Sequence, residues 1–155
     1  MNDIEQDQIL GAIREFAPAQ LQGYLENALK EENFDFDRGG MMLTGEINAS
    51  SVIVRTSIIN HDESLWHSVK NEVYDFLCTS SLKYKPERTE AGSNIKNVIA
   101  ILAASLAAKF HLALGVISGI VTLAIIGAFK ITKNAWCEMQ KGKHEAQITN
   151  KGSKP

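Results

Sequence analysis

At 155 residues, 45% of them hydrophobic and 22% charged, the chain is long enough for a domain with a real core and too apolar to be disordered. Its formal net charge of -2 is unevenly spread. Beyond Phe129, Lys130, Lys133, Lys141, Lys143, Lys151 and Lys154 face only Glu138 and Glu145, so an acidic body carries a basic tail. That layout excludes a nucleic-acid binder, which gathers its bases on one folded face.

The opening MNDIEQDQ is polar, with no basic n-region and no apolar h-region. No secretory signal is expected, and the first part of the chain is expected to stay in the cytoplasm. The N-x-S triplet at Asn48 is then a coincidence. Cys78 and Cys137 fall in separate predicted helices and read as two reduced, buried thiols.

Asn2 and Glu5 have capping-box spacing, and Ile9, Ile13 and Phe16 line one face, which predicts a helix over 3–16. Pro18 closes it and opens a second, where Leu21, Leu25 and Leu29 form a stripe with Tyr24 beside it. Gly23 weakens that helix by about 1 kcal/mol relative to alanine. Glu26 and Lys30 pair on its wet side.

The run 35–40 (DFDRGG) reads as a turn. After it the period becomes alternating. Met41, Leu43 and Ile47 share one face, 48–51 is a polar loop, and Val52, Val54 and Ile58 alternate again, which predicts a β-hairpin. A third helix is expected from Asn60 or Asp62 to about Cys78, with Leu65, Val69, Val73, Phe76 and Leu77 in a stripe and Trp66 beside it. The polar stretch 79–93, with its proline, reads as a linker. No internal repeat is visible.

The dominant feature follows. From Asn97 to Phe129 there is one charge, Lys109, and one histidine, His111. Asn94 can cap a helix from Ile95, and Leu114-Gly115 offers a break. Two arms result, roughly 95–112 and 116–133, each about 25 Å long and close to the hydrocarbon thickness. As a membrane hairpin, Lys109 and His111 fall at the far turn, where lysine snorkels. Lys130 and Lys133 mark the return to the cytoplasmic face, with Trp136 at the headgroups. Gly115 and Gly119 form a G-x-x-x-G pair, and Ser118, Thr122 and Gly127 are further small helix-packing positions. A single span over 112–129 would strand body and tail on opposite sides and ranks below the hairpin. The alternative is a soluble helical hairpin covered by protein, with Asn97, Ser105 and Lys109 as its wet edge.

Motifs for chemistry are weak. Asp35, Asp37 and Glu46 occupy positions one, three and twelve of a calcium loop, but position five is Gly39 and the residues after Glu46 favour strand. A solvated turn explains them better. His61, Asp62, Glu63 and His67 read as capping and surface residues, since six-residue spacing suits no metal on one helical face. A Cys78–histidine nucleophile pair has no specific support. P-loop, dinucleotide, nucleophile-elbow and zincin motifs are all absent from the sequence. No catalytic residue, metal or cofactor is therefore expected.

The sequence thus predicts an α+β protein: a cytosolic α+β domain over 1–80, a linker over 81–93, an apolar helical hairpin over 94–139 and a basic tail over 140–155. The expected function is non-enzymatic. The body binds a protein partner and the hairpin anchors in the inner membrane or homo-oligomerises, with the body cytoplasmic. The alternatives are a soluble cytoplasmic interaction module or complex subunit, and, behind it, an enzyme of unknown chemistry.

Overall fold

A computed structural model describes residues 1–47, 64–92 and 94–152, the last nine of these (144–152) by backbone alone. Eight α-helices run α1 (Asp3–Phe16), α2 (Ala19–Lys30), α3 (Phe36–Leu43), α4 (Leu65–Cys78), α5 (Lys85–Ala91), α6 (Ile95–Phe110), α7 (Leu114–Ile131) and α8 (Lys133–Gly152), with a 3₁₀ turn at Leu82–Tyr84 before α5. Among the described residues there is no strand, so the fold is all-helical and not α+β.

The error lies at 36–43. Asp35 accepts the Arg38 N–H at 3.0 Å and so caps a helix where a turn was expected. Phe36, Gly39, Gly40 and Leu43 sit at i, i+3, i+4 and i+7. The helical stripe is there, but two of its positions are glycines and do not register as apolar. The expected first strand over 41–47 is thus the end of α3 and the turn after it, where Gly45 takes a φ of 78°. The expected loop 48–51, the second strand over 52–58 and the capping residues Asn60 to Glu63 lie outside the described residues.

The other elements follow from local chemistry. The Asn2 side chain accepts the Glu5 N–H and Glu5 accepts the Asn2 N–H, closing the capping box of α1. Asn94 caps α6 through the Lys96 and Asn97 N–H groups. His111, in the left-handed region at φ 56°, ends α6. The break therefore precedes Leu114, and Gly115 falls in the first turn of α7. The stretch 79–93 carries the 3₁₀ turn and α5.

Helix α7 is the centre of the bundle. Helices α1, α2, α3, α4, α6 and α8 all pack on it. Every residue from Ile117 to Phe129 is buried. By length and composition α7 could cross a bilayer. Here its apolar surface is covered by the inner faces of its neighbours: Ile9 and Ile13 of α1, Leu25 and Leu29 of α2, and Leu102 and Leu106 of α6 belong to the same core. The reading of Cys78 and Cys137 as free thiols is also corrected: they form a disulfide joining α4 to α8, with a Cα–Cα distance of 5.6 Å.

Candidate functional site

Trp66 begins the buried face of α4, and one turn later Lys70 occupies the same face. Opposite them, α3 presents Asp37. Its Oδ1 accepts from Trp66 Nε1 at 2.8 Å and from Lys70 Nζ at 2.8 Å. The lysine side chain is 6% exposed and the aspartate side chain 53% exposed, so the carboxylate is anchored from beneath and open to water above. Burial alone would raise the Asp37 carboxyl, but the Lys70 and Trp66 hydrogen bonds prevail and hold it below the usual carboxylate range.

This pair sits in a cleft of about 200 Å³ between α3, α4, α7 and α8. Phe36, Trp66 and Trp136 form its aromatic walls, Ala124 and Gly127 line its α7 side, and Lys143 stands among its lining residues. Ile131 and Met139 also line it, each about half exposed. Its shape depends on glycine: a Cβ at Gly127 would press on the Phe36 ring at 3.2 Å. Phe36 in turn packs against Phe34, ring centroids 4.9 Å apart. Among the described residues, no serine, threonine, cysteine or histidine lines the cleft, and of its two carboxylates that of Asp37 is held below the usual range. Its polar groups are Asp35, Asp37, Lys70, Gln140 and Lys143, which can bind a ligand through charge and hydrogen bonds.

A second polar cluster lies on the other side of α4. Glu72 accepts from Tyr84 Oη at 2.5 Å, from Lys83 at 2.6 and 2.8 Å, and from Lys109 at 3.3 Å. Burial pushes the Glu72 carboxyl up, but the Lys83 and Tyr84 hydrogen bonds prevail and lower it. Burial and the same carboxylate raise the Tyr84 phenol well above its usual range. The cluster ties α4 to the 3₁₀ turn and to α6. Nearby, Arg88 donates to the carbonyls of Asp75, Phe76 and Ser81, closing the end of α4.

The residues expected to face lipid have other neighbours. Lys130 donates to the Ala28 and Glu31 carbonyls and so caps α2. Lys109 reaches Glu72, and Lys133 is exposed. Trp136 is buried in the bundle. Ser118 and Thr122 bond back to the Leu114 and Ser118 carbonyls within α7. Gly119 makes room for Leu21, a Cβ there lying 2.9 Å from its Cδ1, while Gly115 faces Pro18. The small residues serve helix contacts inside one chain.

The calcium-loop candidates do not converge. Asp35 caps α3, Asp37 joins Trp66 and Lys70, and Glu46 accepts the Trp66 N–H at 2.7 Å and the Thr44 hydroxyl at 2.6 Å. Among the described residues no trio of His, Cys, Asp or Glu is placed to hold a metal. His67 is half-buried, and burial aided by the charge of Lys70 pushes its imidazole below its ordinary value. The sequence reading passed over Lys70 and Glu72. Their signal was position: both interrupt the α4 stripe at helical spacing, Lys70 after Trp66 and Glu72 before Phe76.

Compared with family models, curated proteins and solved structures, the chain matches none.

Proposed function

We propose that this chain is a non-enzymatic, water-soluble helical module that binds a protein partner at the cleft between α3, α4, α7 and α8, and that its apolar hairpin serves as its own core. The observation that carries this reading is the cleft itself. It joins an aromatic wall, two half-exposed apolar residues at Ile131 and Met139, and one carboxylate fixed by hydrogen bonds. Such a combination of apolar anchors and a preorganised charge suits protein recognition. Burial of 117–129 in α7 beneath six helices supports the water-soluble part.

The test is proximity crosslinking of the full-length protein in its native cells. The double change Ile131→Glu with Met139→Glu is expected to abolish one crosslinked partner that Leu82→Glu retains. Leu82 is the control because it is 79% exposed and lies outside the cleft. A partner kept by the cleft variant, or lost equally from both, overturns the reading.

A membrane reading draws on a different observation. Leu114 and Val116, at the tip of the α6–α7 hairpin, are 56% and 45% exposed. Flotation with vesicles of anionic phospholipid separates the two. Protein that stays below the vesicles supports the soluble module. Protein that floats, and stops floating with Leu114→Glu, establishes contact with lipid through the tip.

A further inference from the structure

Between Lys133 and Lys143, helix α8 packs on α7 and α4 through few buried side chains. Between Lys133 and Lys143, Trp136 alone is buried, Cys137 and Gln140 are half-buried, and the remaining residues are exposed. Its first turn is held by Thr132, whose hydroxyl accepts the Ala135 N–H and whose carbonyl accepts the Trp136 N–H. Those bonds are local and would survive wherever the helix went. Among the described residues, no hydrogen bond or ion pair links an α8 side chain to another helix. Between 133 and 143, where α8 packs on α7 and α4, its strongest attachments are the Trp136 indole and the covalent bond from Cys137 to Cys78 of α4.

What α8 covers is more apolar than α8 itself. Beneath it lie Ala124 and Gly127 of α7, with Trp66 on the α4 side. These are core residues on a helix whose mean hydropathy is 2.1.

We propose that α8 is a removable cover, and that the Cys78–Cys137 disulfide is its clasp. A thiolate of a dithiol reductant attacks one sulfur and forms a mixed disulfide, and the other cysteine leaves as a thiolate that takes a proton from water. The second thiol of the reductant then displaces the remaining cysteine, giving two protein thiols and one oxidised dithiol. Both cysteines are half-buried, at the margin of the core where a small reductant can reach them. In an oxidising compartment the cover stays closed. In a compartment poised by thiols the bond is cleaved, and α8 relies on Trp136 alone. The open form presents an apolar strip of α7 flanked by Asp37 and Lys70. This rests on the partner-binding reading, in which Met139 of α8 is part of the cleft, so that opening α8 removes one wall and releases the partner, yet the release of α8 can be measured with no partner present.

The experiment is hydrogen exchange, read by mass spectrometry on the full-length protein, before and after treatment with a phosphine reductant. Reduction is expected to speed exchange in 133–143 by about tenfold or more and to deprotect 127–131, while α1 and α6 keep their protection. Cys137→Ser is expected to show the reduced pattern without any reductant. Three results overturn the proposal. The first is unchanged α8 exchange on reduction, which makes Trp136 a sufficient anchor. The second is a joint loss of protection in all helices, which makes the bond a staple for the whole bundle. The third is alkylation of both thiols in freshly isolated protein with α8 still protected.

Discussion

Gly40 of α3 lies flat against the indole of Trp66: a Cβ at position 40 would overlap ring atoms Cδ2, Cε2 and Cε3. The indole cannot yield easily, because its Nε1 is fixed by Asp37 and its backbone N–H by Glu46. Gly40→Ala is therefore expected to destabilise the protein by about 3 kcal/mol through overpacking. Gly11→Ala and Gly23→Ala supply the contrast. Both glycines lie inside helices with nothing within 4 Å of an added Cβ. There alanine is expected to stabilise by about 0.5–1 kcal/mol, because it restricts the unfolded chain and favours helix. Urea unfolding of the three variants decides it. Equal effects at positions 40 and 23 would remove the packing argument.

The same contact explains why α3 was illegible. A helix is recognised by apolar side chains at its period, and α3 spends two of those positions on glycine so that Trp66, Tyr24 and Phe34 can lie on it. That requirement is tertiary and leaves no local trace. The helices α1 and α6 were legible by their local caps and α2 and α4 by their local stripes, although α4 starts at Leu65, capped by Ser64, and not at Asn60 or Asp62. The placement of α7 was not. An 18-residue apolar rod whose one charge, Lys130, lies in its last turn has the same composition in lipid and in a protein core, and only its neighbours distinguish the two. Those neighbours were visible as the one-sided stripes of Ile9 and Ile13 and of Leu25 and Leu29, faces that need something to cover. The site was legible in the same partial way, as charges at Lys70 and Glu72 inside an apolar stripe. The disulfide was not, since two cysteines 59 residues apart carry no pairing signal.

Acid should weaken the structural ties made by Glu72 and Asp37. The Glu72 carboxyl is lowered in the folded protein by Lys83 and Tyr84, as that of Asp37 is by Lys70 and Trp66. A lowered folded-state value stabilises above the unfolded value, near 4 for these groups, and that stability is lost as pH falls below it. Unfolding midpoints measured from pH 7 to pH 2 are expected to decline below about pH 4.5. Glu72→Gln is expected to flatten that decline while costing about 2 kcal/mol at pH 7, because the amide holds Lys83 and Tyr84 less well. An equally steep acid limb in Glu72→Gln would show that Glu72 does not drive it.

At the other end of the scale the sign reverses. The Tyr84 phenol is raised in the folded state, so its contribution is complete below the unfolded value near 10 and fades as pH rises past it. Difference absorbance at 295 nm is expected to show one phenol that ionises only when the chain unfolds, and Tyr84→Phe to lack that step. Early ionisation of every tyrosine would contradict the buried bond to Glu72.

Arg88 distinguishes geometry from charge. Its guanidinium reaches the Asp75 and Phe76 carbonyls in the last turn of α4 and the Ser81 carbonyl beyond it at 2.6 to 2.8 Å, in directions a single ammonium cannot match. Arg88→Lys is expected to cost about 2 kcal/mol although the charge is kept. Hydrogen exchange should locate the loss at 75–84. A lysine variant as stable as the parent would mean that water caps α4 equally well.

The Asp37–Lys70 pair at the cleft calls for a double-mutant cycle. Asp37→Ala removes the acceptor from a lysine that is nearly fully buried and from the Trp66 indole, and is expected to destabilise by about 3 kcal/mol. Lys70→Met leaves a half-exposed carboxylate that water can solvate, so its cost should be smaller, about 1 kcal/mol. With both changes, the methionine lies against Trp66 with no stranded charge. The double variant is expected to recover most of the loss caused by Asp37→Ala. Strict additivity would show that the two side chains do not sense each other. Recovery of stability without recovery of crosslinking would assign the pair to recognition, because the double variant then lacks only the charges of Asp37 and Lys70 at the cleft.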